Sequence, residues 1–316
     1  MKKRISVYIY IILSLIPAVA FSQSDISMAT QWYNRGNYNP ASIARTDYAY
    51  LFANTRKQWL GVEGSPTIFN VQASMYNNSL KSAFGVSIVN DVIGITNSFN
   101  PMFSYAYRIS NDPSWALSFG LSLGIFNRTI DISRYSPVDD NDQTLYQDVD
   151  PETTPDANFG VEFQNKHFIF GASTTHLFSM NKPDSLFLNA NHRYVYGIYK
   201  NTNSELFNYY LGLQMVNHYN IYLLESNAVV RFKVPTGLQN GSRELFDIGL
   251  KYRSSKQMTA LFGINITNSF RIGYAFDQTL RSGYNQNGTH EIMLEYRIPL
   301  KSAECEACRD QELWYR

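Results

Sequence analysis

Four groups of residues in this sequence have side chains suited to chemistry, and each has a plainer reading. Gly120-Leu121-Ser122-Leu123-Gly124 has the G-x-S-x-G form of a serine nucleophile, but that form works only where a strand turns sharply into a helix and lifts the hydroxyl clear. Here the serine sits inside an unbroken alternation of large apolar and small residues, so the glycines and serine read as the small face of a strand. The histidines, His167, His176, His192, His218 and His290, show neither H-E-x-x-H spacing nor carboxylates placed for zinc, and are expected at strand ends or in solvent. No Ser-His pair is supported by spacing, and the chain is not expected to be an enzyme.

Between Ser136 and Asp156 lie Asp139, Asp140, Asp142, Asp148, Asp150, Glu152 and Asp156, together with three prolines. Such oxygen ligands could hold a divalent cation, but the EF-hand spacing is absent and the composition suits a solvated outer loop. Cys305 and Cys308 are the only cysteines. A C-x-x-C after the last strand has too few ligands for zinc and lacks the βαβ setting of a redox pair, so a local disulfide in an oxidising compartment is expected. No cofactor is called for.

The elements that would position these residues are strands. From Trp115 to Ile125 every odd position is large and apolar and every even one small, the period-two signature of a strand with two unlike faces. Phe270 to Asp277 and His290 to Ile298 repeat it with charges on the second face: Arg271, Asp277, Glu291, Glu295 and Arg297. Those charges could pair across neighbouring strands and fill a bore, making a scaffold, or could line a channel.

Residues 1–22 have the form of a secretory signal peptide: Met1-Lys2-Lys3-Arg4, an apolar run, then Ala20-Phe21-Ser22, with the mature chain starting at Gln23. That leaves 316 − 22 = 294 residues. Aromatics reach 15%, with 23 Tyr and 20 Phe, while charged residues are 17%, below the roughly 25% of soluble domains and in keeping with rings at lipid headgroups. Net charge is +1, which gives no field for a nucleic-acid partner. Mean hydropathy is slightly negative and no later apolar run is long enough for a spanning helix, so a membrane crossing would have to be made by strands.

The fold expected is all-β: an outer-membrane antiparallel β-barrel of about fourteen strands over 46–299, in contact with outer-membrane lipid. An N-terminal periplasmic or lumenal segment covers 23–45 and a periplasmic tail 300–316. An even count puts both chain ends in the periplasm, with short turns there and long loops outside, notably 128–156 and 178–190. The stretch 217–242 fits this rule least well, and twelve or sixteen strands are the alternatives there.

Three stretches resemble one family, the type IX secretion system membrane proteins of the PorP/SprF kind. Asn39-Pro40-Ala41 followed by Gln58-Trp59-Leu60-Gly61-Val62-Glu63-Gly64-Ser65-Pro66-Thr67 is similar to the family's N-P-A and Q-W-x-G-x-x-G-x-P-x-T. Gly273-Tyr274-Ala275-Phe276-Asp277 and Gly288 to Leu294 are similar to its G-Y-x-x-D and S-G-T-H-E-I-M-L ending. Ser87 to Gly94 resembles its V-x-N-D-x-I-G, and the stretch 200–245 departs from the pattern.

The resemblance implies a non-enzymatic component of type IX secretion and gliding that supports secretion and surface anchoring of adhesin-type cargo. Its implied partners are a secreted adhesin or that adhesin's C-terminal sorting domain, and a periplasmic secretion-machinery protein. The outer loops around Gln58, Trp59, Gly61, Gly64 and Pro66, and 128–156, would touch cargo. In them the glycines accept positive φ and the tryptophan plugs or caps the mouth. The alternative is an outer-membrane porin or small-solute transporter.

Overall fold

The structure is a computed structural model describing residues 28–45, 48–109, 114–131, 151–180, 189–218, 221–235, 242–280 and 287–300. Fourteen strands form one closed barrel. They are β1 (Tyr48–Lys57), β2 (Thr67–Asn77), β3 (Ser82–Ile93), β4 (Thr96–Arg108), β5 (Trp115–Ile130), β6 (Glu152–Asn165) and β7 (Phe168–Thr175). The second half comprises β8 (His192–Asn201), β9 (Phe207–His218), β10 (Ile221–Pro235), β11 (Ser242–Arg253), β12 (Gln257–Asn265), β13 (Phe270–Thr279) and β14 (Thr289–Pro299). Every strand pairs antiparallel with its sequence neighbours, and β1 closes on β14 from Tyr48 opposite Pro299 to Lys57 opposite His290. Closure leaves no unpaired edge, which a spanning sheet requires.

Alternation sets the two faces. On β5, Phe119, Leu121, Leu123 and Ile125 are exposed while Ala116, Ser118 and Ser122 are buried, so the nucleophile-like motif lies mid-strand with its small residues inward. Exposed aliphatics such as Leu121, Val195, Leu213 and Ile248 form the outward band. Aromatics flank it, with Tyr107, Trp115 and Phe168 toward one end and Phe99, Tyr222 and Tyr252 toward the other. This arrangement matches a bilayer core between two interfaces. The long connections 58–66, 131–151, 176–191 and 280–288 all fall at the end opposite the chain termini. In outer-membrane barrels that end is the cell surface and the short turns are periplasmic.

The difficult stretch resolves because β10 runs on to Pro235, which pairs with Ser242 of β11. A register shift at Phe232/Lys233 takes up the irregularity. One expectation needs correction. β6 begins at Glu152 rather than 157, so Glu152 and Asp156 belong to the barrel wall and not to the acidic loop. Asp156 is 4% exposed and accepts hydrogen bonds from Asn100 Nδ2 at 2.9 Å and His176 Nδ1 at 2.7 Å, because its place on the strand points it into the bore. The remaining acidic-loop aspartates, and Cys305 and Cys308, lie outside the described residues. All five histidines sit at strand ends, where they were expected; His192 is buried and stacks on His218 at 4.5 Å.

Candidate functional site

Residues 28–45 lie inside the barrel. They form three short 3-10 turns, Ala29–Trp32, Arg35–Asn37 and Pro40–Ile43, and Met28, Ala29, Thr30, Asn34, Asn39, Ala41, Ser42 and Ile43 are each less than 5% exposed. A non-repetitive backbone at membrane depth is tolerated only where protein satisfies its polar groups, and here the wall does so on opposite sides of the bore.

Asn39 initiates the third turn. Its Oδ1 accepts from Ala41 N at 3.0 Å, capping the turn, while its Nδ2 donates to Val161 O on β6 at 3.1 Å and to Tyr196 Oη on β8 at 2.8 Å. Pro40 at the first position of the turn has no N–H to leave unpaired. The Ala41 backbone then sits on Gly120, where an added Cβ would come within 2.2 Å of Ala41 N. So the first glycine of the nucleophile-like motif is a seat for the N-P-A turn.

Other anchors follow the same logic. Arg35 Nε pairs with Glu162 Oε2 on β6 at 2.8 Å, and Tyr196 also donates to that carboxylate. Burial pulls the Arg35 guanidinium down, but the adjoining Glu162 outweighs it and holds Arg35 above its ordinary range. Tyr33 donates to Asp247 on β11 at 2.5 Å with the Arg271 guanidinium 4.3 Å from its ring centroid. Burial first, and then Asp247, push its hydroxyl above the ordinary range, so it stays a donor. Tyr38 packs against Tyr194 and Tyr196 at centroid distances of 5.1 and 5.4 Å, and Asn34 donates to Gln72 on β2.

The first turn is held by Glu291 on β14. Its Oε2 accepts from Ala29 N at 2.7 Å, and its Oε1 accepts from Thr30 N at 3.0 Å and from the Thr30 hydroxyl. Arg56 on β1, opposite Glu291 in register, bonds the same carboxylate at 3.1 Å and Asp277 of β13 at 2.5 Å. Of the other inward charges singled out in the sequence, Arg271 reaches past β12 to Asp247, over Gly263 where a Cβ would lie 2.6 Å from its Nη2. Glu295 and Arg297 pair with each other. Arg56 thus joins Asp277 to Glu291, while Arg271 pairs separately with Asp247; neither Arg56 nor Asp247 stands out in the sequence as a partner. The bore is filled by Trp32, Tyr33 and Tyr38 of the N-terminal segment, whereas Trp59 is half-buried in the surface hairpin with φ 47°. The available signals for such a plug were the unalternating Trp32-to-Ala41 stretch and the inward wall glycines.

At the surface end, three stretches distant in sequence converge. The 58–66 hairpin closes through Gln58 N to Pro66 O at 2.9 Å, with Gly61 and Gly64 at φ of 91° and 68°. Leu60 N donates to Gly288 O at 3.0 Å, Gly94 N donates to Gly64 O at 2.8 Å, and Trp59 N lies 3.4 Å from Thr289 Oγ1. Around them Leu60, Val62 and Ile93 are 44%, 45% and 50% exposed.

Fold and site define a class: a closed, internally plugged β-barrel of the outer membrane. No curated protein matches the sequence. The family described as type IX secretion system membrane protein PorP/SprF matches residues 6–296. The chain belongs to that family, and is an outer-membrane component of type IX secretion. Among solved structures, it is similar to CdiB from Acinetobacter baumannii (9% identity, TM-score 0.42, covering 80% of this chain and 60% of that one). It is also similar to the Ralstonia pickettii toluene transporter TbuX (10%, TM-score 0.47, 89% and 96%) and to the CymD monoaromatic hydrocarbon channel (9%, TM-score 0.48, 90% and 96%).

Proposed function

We propose that this protein is a closed anchor, one that holds adhesin-type cargo or its C-terminal sorting domain at the cell surface for the type IX secretion and gliding machinery, without conducting. The observation that carries the reading is the plug. Residues 28–45 bond or pack against β2, β5, β6, β8, β11, β13 and β14, and their 3-10 turns cross the bore where a porin needs free passage. Cargo contact falls to the surface rim built from Gln58, Trp59, Gly61, Gly64 and Pro66 with Gly94 and Gly288, whose exposed Leu60, Val62 and Ile93 offer an apolar face between polar loops. A periplasmic secretion-machinery protein is the partner at the other end.

The closed state is tested in planar bilayers. The purified full-length protein is expected to give no steady current, and a variant lacking residues 28–45 that still inserts is expected to conduct. Steady open currents from the unaltered chain would sink the anchor reading in favour of a porin. The cargo half is tested separately by deleting the gene and scoring surface adhesins, and unchanged display would overturn it.

A further inference from the structure

The plug leaves a second space, at the periplasmic end of the bore. It is a cavity of about 110 Å³ between the first turn of the plug and the wall, lined at its rim by Arg45, Tyr48 and Arg297, all half-buried and so within reach of solvent. Its lining holds five arginines, Arg35, Arg45, Arg231, Arg271 and Arg297, together with Lys200, against one carboxylate, Glu295. Glu162, Glu244 and Asp247 pair with Arg35, Arg231 and Arg271, so even with these counted the arginines alone outnumber the four carboxylates. Water and neighbouring charges screen an excess like this poorly inside a closed wall.

Charge is joined by unmet hydrogen bonding. Trp32, 9% exposed, lines this cavity, and its indole N–H has no acceptor among the described residues. Arg231 and Arg271, 7% and 2% exposed, line the same cavity, and their Nε–H groups likewise lack one among the described residues. Three buried donors without acceptors among the residues of one lining is unusual, since a buried donor left unpaired bears its desolvation penalty in full. The rest of the lining is aromatic and aliphatic: Tyr33, Tyr50 and Tyr210, with Ile169, Ile198 and Val229. Arg45 and Arg231 lie over the Tyr50 and Tyr210 rings at 4.7 and 5.2 Å.

We infer that this cavity is a binding site for a carboxylate carried on an apolar or aromatic body, the chemistry of a peptide's C-terminal residue, entering from the periplasm. The donors and the cationic excess take the carboxylate, and the rings and aliphatics take the side chain. This site stands apart from the surface rim and does not depend on cargo binding there.

Calorimetry on the full-length protein in detergent tests it with three probes: N-acetylphenylalanine, its uncharged amide, and inorganic phosphate. The carboxylate is expected to bind, and both the amide and phosphate to bind at least roughly tenfold more weakly, as loss of a charge-assisted hydrogen bond or of the apolar body entails. Arg45→Gln removes a rim cation that holds no plug turn, and Trp32→Phe removes the unmet donor while keeping an aromatic ring. Each is expected to weaken carboxylate binding severalfold or more, and His176→Gln, at the opposite end of the bore, is expected to leave it unchanged. Equal binding of the amide would make the cavity merely apolar, and equal binding of phosphate would make it a bare anion site. Either result, no binding at millimolar carboxylate, or unchanged affinity in both Arg45→Gln and Trp32→Phe would overturn the inference.

Discussion

Residues 34–43 and 58–66 are built from the same materials, asparagine or glutamine, glycine, proline and an aromatic ring, yet one is buried in the bore and the other stands at the surface. Both are turns. What separates them is the source of their hydrogen-bond partners. The surface hairpin bonds mainly to itself and to adjoining loops, Gln58 to Pro66, Gly94 to Gly64 and Leu60 to Gly288, so its outer side is free to face water. The plug bonds to side chains that the wall turns inward, namely Glu291, Gln72, Asp247 and Tyr196. Turn chemistry selects a bend, and the surroundings decide whether that bend can be buried.

Removing the wall's half of that bargain should have the largest effect. Glu291→Ala strips the acceptor from Ala29, Thr30 and Asn54 and leaves Arg56 with Asp277 alone. A buried charge that loses a partner costs roughly 3–5 kcal/mol, so thermal unfolding in detergent should move sharply downward. The same variant should show intermittent currents in bilayers, and an unchanged melting curve would mean that the plug is held elsewhere. Next, Gly120→Val puts a Cβ where the Ala41 backbone sits, an overpacking worth about 1–3 kcal/mol. It should displace the plug without disturbing β5, and protease cleavage near Ala41 in a still heat-modifiable barrel is the expected signature.

Asn39→Ala removes the turn cap and two donated hydrogen bonds, at about 1–2 kcal/mol. It should raise plug mobility, read as faster amide exchange in 28–45. On the surface side, Gly64→Ala meets only the positive φ of 68° with Gly94 Cα at 3.4 Å, costing roughly 1 kcal/mol with no gain in conductance. Smallest in stability should be Leu60→Ser with Val62→Ser, within about 0.5 kcal/mol because both side chains are exposed. Yet these two are expected to reduce adhesin retention on cells, and retention at wild-type levels would remove them from the cargo face.

Much of the barrel was legible in the sequence because period two leaves little choice: a strand such as Trp115–Ile125, with one apolar and one small face, must put the first toward lipid. The inward direction of Arg271, Asp277, Glu291, Glu295 and Arg297 was legible for the same reason. Their partners were not. Arg271 meets Asp247 two strands away only because Gly263 clears the path, and such a distance has no trace in local spacing. The early start of β6 was hidden by Pro155 and the acidic residues around it, which read as loop although the strand carries them opposite Ile125 and Gly124.

The sequence by itself therefore determined the alternation, the membrane class and the family, since these depend on local pattern and on motifs that chain order preserves. Only tertiary structure decided that residues 28–45 fold back into the bore, that Gly120 is a seat and not a nucleophile's neighbour, and that 58–66, 94 and 288 meet at one rim. The physical reason is closure. A strand's pattern says which face is inward, but what occupies the inside is fixed by fourteen strands acting together on a segment whose own sequence names no partner.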